Sequence, residues 1–423
     1  MMRLVYALAW TIAAPLAVLR LHWRARKLPG YAKRIRERFG RYDPAPDAPR
    51  IWIHAVSVGE TRAAAPIIEA LAARHPGHRI LLTHMTPTGR ATGEEIFGDR
   101  VERAWLPYDL ALAVRNFVRH FRPELGIVME TELWPRLLEE CAAHGVPVVL
   151  ANARLSERSR RRYARFPGFA RWALANLAAV AAQTEADASR LTSLGARDVV
   201  VTGNVKFDLD VPAGIEARAR ALRELLGESR PVWVAGSTRE GEEALLLDAF
   251  AAVPPEVLLV IVPRHPQRFA EVAQAAAARG FATARRSDAV AAGEGVRVVV
   301  GDSMGEMLAY YGAADVVLMG GSFLEYGSQN LIEACALGRP VIFGRHTWNF
   351  EQAAEGAMAA DAALRVEDAA GAMAAALALT RDPERRSRMG QNASRFVEAH
   401  RGATLRLVER LDAALASRAR ASG

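Results

Sequence analysis

From residue 50 onward the chain alternates short apolar runs with longer stretches whose apolar residues recur every three or four positions. The runs at 51–57, 80–85, 103–107, 125–129, 146–151, 179–183 and 199–203 are dominated by small and β-branched apolar residues and read as strands. Between them, 61–74, 110–121, 135–144 and 185–194 carry the helical period. Near-continuous apolar strands alternating with helices predict parallel βαβ units with both sheet faces covered. The rhythm breaks over 206–230, which reads as a turn, a charged helix and a linker. It resumes at 232–236, 257–262, 296–300, 316–319 and 341–343, and helices between 350 and 416 are expected to close the C-terminal half. The expected fold is α/β, with two Rossmann-like doubly wound domains, at 50–205 and 231–423, facing a cleft. Ligands in such sheets sit beyond the carboxyl ends of the strands, so the cleft is the expected site.

Ahead of these domains, residues 4–19 (LVYALAWTIAAPLAVL) contain no charge. Sixteen residues fall short of the roughly 20 that span a bilayer, although Arg3 and Arg20 can snorkel to extend a marginal span. Residues 20–41 then hold nine positive charges and one negative, which equals the net charge of +8 for all 423 residues. The rest of the chain is balanced, so the basicity is local and argues against nucleic-acid binding. Residues 1–23 are therefore expected to form a membrane anchor and 24–49 a basic juxtamembrane segment, with the body on the cytoplasmic side. A charge-poor N-terminus and a cationic stretch behind the apolar run argue against a cleaved signal peptide. The two cysteines, Cys141 and Cys335, lie in apolar helical sequence, which suits a reducing compartment.

The candidate chemistry gathers at predicted strand ends. Glu60, in HAVSVGE, falls on the first turn of the helix after the first strand, where a carboxylate either stabilises the helix dipole or serves as a general base. Because the dipole opposes any rise in its pKa, its activation is expected from geometry rather than from a large shift. Glu130 and Glu132, in METELWP, end the fourth strand and are expected to point to one side of an extended segment. Lys206, in TGNVKFD, is the one lysine outside the basic segment in a chain that otherwise uses arginine, suggesting a need for a compact charge. In the second half, Arg264 and His265, then Gly305, Glu306 and Met307, then Asn330 to Glu333, follow strands in glycine-rich or cationic turns suited to a nucleotide phosphate. Asp208 and Asp210 fit an interdomain turn better than a metal site, and no metal is expected. No G-x-x-x-x-G-K-[ST] loop is present. Arg158, Arg160, Arg161, Arg162 and Arg165, interleaved with aromatics, suit an anionic amphiphile at a membrane.

Taken in order, HAVSVGE, METELWP, TGNVKFD, PRHPQRF, GDSMGEM and GSQNLIEA resemble the bacterial 3-deoxy-D-manno-octulosonic acid (Kdo) transferases, inner-membrane glycosyltransferases of lipopolysaccharide assembly. The resemblance implies a GT-B fold, with acceptor on the first domain and CMP-Kdo mainly on the second. It also implies inverting transfer of Kdo to the lipid A precursor (lipid IVA), without a cofactor. By matching motif, Glu60 would be the base, and Glu130 and Lys206 would stabilise the transition state, the carboxylate facing the sugar cation and the lysine the phosphate. Arg264, His265, Gly305, Glu306, Met307, Asn330, Leu331, Ile332 and Glu333 would hold CMP. Some relatives carry histidine and proline in the GSQNLIEA loop, which touches only fine contacts. A GT-B transferase or epimerase using a UDP-sugar is the alternative, and a membrane-tethered nucleic-acid-binding protein is the competing class.

Overall fold

The computed structural model describes residues 2–288, 293 and 295–422. The chain forms two compact units, one of Met1–Asp208 with Arg401–Gly423 and the other of Leu209–His400. Each is built on a parallel seven-stranded sheet.

In the first unit the strands are β1 Arg50–His54, β2 Arg79–His84, β3 Glu102–Trp105, β4 Pro123–Met129, β5 Val148–Ala153, β6 Ala179–Ala182 and β7 Val199–Val201. Their spatial order is β3-β2-β1-β4-β5-β6-β7. β1 lies between β2 and β4, with Ile53 opposite Leu82 on one side and Ile127 on the other. The strand order reverses there, which makes the crevice beyond the ends of β1 and β4 the switch point where ligands bind. One face of the sheet buries Ile51, Ile53, Ile127 and Val149 under the helix Val58–Arg74, and the other buries Trp52, Phe117 and Leu150.

The second unit repeats the plan with β8 Val232–Thr238, β9 Leu258–Pro263, β10 Thr283–Arg285, β11 Val298–Val300, β12 Val316–Met319, β13 Val341–Phe343 and β14 Ala363–Arg365. The order is β10-β11-β9-β8-β12-β13-β14, so its switch point falls between β8 and β12. β10 and β14 escape the hydrophobic pattern because each is a three-residue edge strand containing arginine. The expected strand at 51–57 stops at His54, because Ser57 is already the N-cap of the next helix.

Two further expectations give way. The last helix, Ala403–Ser422, does not close the C-terminal half; its Ala403, Leu407, Val408 and Leu411 complete the core of the first unit. Asp208 accepts hydrogen bonds from the backbone N–H groups of Gly402 (2.6 Å) and Thr404, so it caps that returning helix. Nor are residues 24–49, expected as a basic juxtamembrane segment ahead of the first domain, separate from it. Arg38 is 1% exposed, its guanidinium 4.2 Å from the centre of the Trp105 ring, and Glu37 accepts the Trp105 backbone N–H at 2.9 Å. Arg34 pairs with Glu37, and Arg36 with Asp43. The apolar N-terminus is one helix, Met2–Ala25, long and apolar enough to cross a membrane by length and composition.

Candidate active site

Beyond the end of β1 the chain turns through Ala55 and Val56 into the helix that carries Glu60. Thr86 donates to the Val56 carbonyl at 2.8 Å and the His84 ring lies 2.9 Å from the Ala55 carbonyl, so this turn is braced from β2. Ser57 caps the helix by accepting the Glu60 N–H on its hydroxyl, which in turn donates to Oε1 of Glu60 at 3.0 Å. The Val56 N–H donates to Oε2 at 2.7 Å. Burial pushes the Glu60 carboxyl up to about 7, and the negative charges of Glu130 and Glu132 add to the rise. The expectation that its activation would not involve a large shift therefore fails: desolvation outweighs the hydrogen bonds that favour the carboxylate.

Glu130 follows β4, the neighbour of β1, and adopts a left-handed backbone with φ of +57°. For a residue with a side chain this costs about 1–2 kcal/mol, and such strain clusters at functional sites. The extended segment expected to aim Glu130 and Glu132 together is thus a turn. Glu132 is nonetheless close, and its carboxyl is raised by burial first, with Glu130 adding. Lys206 stands in a short turn, Val205–Phe207, fixed by Asn152, whose Oδ1 accepts the Val205 N–H at 3.2 Å. Its Nζ lies 3.2 Å from Oε1 of Glu130, and Nε of Arg154 lies 3.4 Å from Oε2. The anion and the lysine, expected to face different charges, form one ion pair. Lys206 also belongs to the first unit and not to a linker.

In the second unit the expected nucleotide residues all follow carboxyl strand ends. Arg264 and His265 come after β9, and Arg264 donates its N–H to the Thr238 carbonyl at 2.9 Å. The His265 ring is pushed below its ordinary value by partial burial first, then by Arg239, Arg264 and Arg268. Three arginines thus gather around His265, Arg239 from the turn after β8 and Arg264 and Arg268 from the turn after β9, and cations so placed suit an anion. Gly305 has a φ of +78°, and Glu306 precedes the short helix Met307–Ala313, its carboxylate 3.4 Å from Nε of Arg286. Asn330 caps Leu331–Ala336 and donates from its side chain to Glu333 at 3.0 Å. Leu331 and Ile332 are buried in the core, so only their backbone groups can meet a ligand. The buried Tyr311 hydroxyl is raised by burial first, then by the Glu333 charge, with the Ser237 hydrogen bond and the Arg264 charge opposing.

The key residue that sequence reasoning missed is Glu242, on the first helical turn after β8, which occupies in this unit the place of Glu60 in the other. It is fully buried and accepts backbone N–H bonds from Arg239 (2.8 Å), Gly321 (2.7 Å) and Phe323 (2.9 Å). It therefore braces the loop after β12, where a Cβ on Gly320 would fall 2.5 Å from the Ser237 carbonyl. The signal was available in GSTREGEE, an acid following a strand end just as in HAVSVGE.

The cationic stretch folds as two helices, Glu157–Ala164 and Pro167–Leu174. Arg160 and Arg161 bond Glu157 at 2.7–3.0 Å and hold its carboxyl down at about 2. Those two cations are already paired, while Arg158, Arg162 and Arg165 are exposed. Among the described residues, no group of three or more His, Cys, Asp or Glu is placed to hold a metal ion.

A family model described as 3-deoxy-D-manno-octulosonic-acid transferase (kdotransferase) matches residues 33–209. The chain is 46% identical to the 3-deoxy-D-manno-octulosonic acid transferase of Bordetella pertussis, over 96% of its own length and 98% of the relative's. It is 36% identical to that of Haemophilus influenzae, over 97% and 98% of the two chains. Among solved structures it is similar to UDP-GlcNAc 2-epimerase from Neisseria meningitidis, with a TM-score of 0.53 and 16% identity over 83% of this chain and 99% of that one. It is also similar to the HepE protein of Anabaena in complex with UDP, with a TM-score of 0.55 and 14% identity over 87% of this chain and all of that one. At that identity the likeness shows the GT-B fold alone.

Proposed function

The chain belongs to the 3-deoxy-D-manno-octulosonic acid (Kdo) transferase family, and we propose that it moves Kdo from CMP-Kdo to a hydroxyl of the lipid A precursor, lipid IVA, with inversion at the anomeric carbon. The single observation that carries the assignment of roles is the environment of Glu60. A carboxyl with a pKa of about 7 can accept a hydroxyl proton near neutral pH, where Brønsted behaviour makes a base most effective. Glu242 supplies the contrast. Three backbone N–H groups occupy its oxygens, whereas Glu60 receives one N–H and one rotatable hydroxyl that an acceptor hydroxyl can replace.

In this reading the acceptor hydroxyl gives its proton to Glu60 as its oxygen bonds to the anomeric carbon, and the bond from that carbon to the CMP phosphate breaks. Positive charge grows on the sugar ring and negative charge on the departing phosphate. The Glu130 carboxylate, steadied by Lys206 and Arg154, faces the developing cation; fixed charges of this kind stabilise a transition state because they need not reorganise. Arg264 and His265, together with the turns at Gly305–Met307 and Asn330–Glu333, hold the CMP, Leu331 and Ile332 through the backbone. The enzyme works at the inner membrane with its body in the cytoplasm, and Arg158, Arg162 and Arg165 face the anionic lipid acceptor. Glu60→Gln should lower turnover about 100- to 10,000-fold, the span of general-base catalysis, while CMP still binds. Mass spectrometry of the lipid product reads the first and a CMP titration the second. Near-normal turnover would overturn the base assignment.

A further inference from the structure

The helix Met2–Ala25 is fastened to the first unit along most of its length. The Tyr6 hydroxyl donates to Asp109 at 2.7 Å, and the Trp10 ring lies 5.5 Å from that of Tyr108 and 6.3 Å from that of Trp134. Arg3 pairs with Glu139 at 2.8 Å, and Ala14 and Leu21 are buried. The other face is bare and apolar: Leu4, Leu8, Ile12, Leu16, Leu19 and Trp23 are 62–75% exposed. Leu8, Ile12, Leu16 and Trp23 each follow a docked residue by two positions, which is about 200° around a helix. The docked and bare stripes are therefore opposite faces.

A helix that is apolar all round is covered all round. Protein covers one face, and cations mark what covers the other. Arg20, Arg26 and Lys27 are exposed at one end of the helix. At its other end Met2 touches Gly168, beside the exposed Arg165 and Phe166. An apolar stripe bracketed by cations matches an anionic bilayer surface. Crossing the bilayer does not fit these contacts. It would strip Tyr6 from the buried Asp109 and part Arg3 from Glu139, or else draw both carboxylates into hydrocarbon.

We propose that this helix does not span the membrane but lies in its plane, with the Leu4–Trp23 face in the acyl layer and its N-terminus on the same side as the enzyme body. The inference rests on the membrane reading above and specifies how the attachment is made. The test uses the full chain with an N-terminal epitope tag, expressed in cells converted to spheroplasts. The protein should pellet with membranes, and the tag should resist protease added outside yet be cut in inverted vesicles. In parallel, Ile12→Asp with Leu16→Asp should weaken sedimentation with phosphatidylethanolamine–phosphatidylglycerol vesicles at least about tenfold, while turnover on detergent-dispersed substrate is kept. A membrane-bound chain whose tag is cut from outside overturns the in-plane placement alone, as does a double variant that binds vesicles like the parent. A parent chain that sediments with no membrane at all overturns the membrane reading beneath it.

Discussion

Glu60 is held by a hydroxyl and a peptide N–H, and each hydrogen bond favours its ionised form while burial opposes it. The balance has a measurable sign. A base with a pKa of about 7 is protonated as the pH falls through that value, so the rate should fall on the acid side of neutrality. Ser57→Ala removes one bond to the carboxylate, which raises its pKa further. The acid limb of the pH–rate profile should therefore move upward, with a larger loss of activity at slightly acidic pH than at alkaline pH. A profile that keeps its position would show that Ser57 does not tune Glu60. At this scale the sequence disclosed the residue but not its chemistry. The motif and its place after the first strand single out Glu60, whereas the burial that shifts it is assembled from side chains far apart in the chain. The ion pair of Glu130 with Lys206, 76 positions away, is hidden from local pattern for the same reason.

The helices that follow β1 and β8 use a similar opening in two ways. One presents a carboxylate whose oxygens are partly engaged, and the other spends its carboxylate on three backbone donors. Glu242→Gln would turn an amide N–H₂ toward at least one of those donors, and a buried N–H without a partner costs about 1–3 kcal/mol. The variant should melt earlier and bind CMP more weakly, with turnover at saturating donor largely kept. Thermal melting with a CMP titration checks this, and unchanged values in both would mean the loop after β12 is not braced by Glu242. Strands and helices with strong apolar periods were legible in the sequence almost throughout. What escaped were elements whose partners lie elsewhere: the edge strands β10 and β14, and the left-handed turns at Glu130 and Ser237, which no local pattern marks. The basic segment misled for a related reason. It reads as a basic juxtamembrane segment, yet Arg38 is buried against Trp105, so one of its cations is part of a core.

For the molecule as a whole, the two α/β halves came through from sequence to structure, while the path of the chain between the halves did not. The second unit is an insertion: the chain leaves the first unit at Asp208 and re-enters it at Arg401, and Asp208 caps the helix on which it returns. That connection sets a timetable for synthesis. The first unit begins to leave the ribosome first but is completed last, because Leu407, Val408 and Leu411 belong to its core. A nascent chain released at His400 already contains the whole of the inserted unit. It should yield a protease-resistant fragment from residues 209–400 while residues 1–208 are degraded. Equal protection of both segments would show that the final helix is not needed to close the first core. Until those last residues emerge, the unit carrying Glu60 remains open on one face of its sheet, and chaperones have the longest time to meet it there.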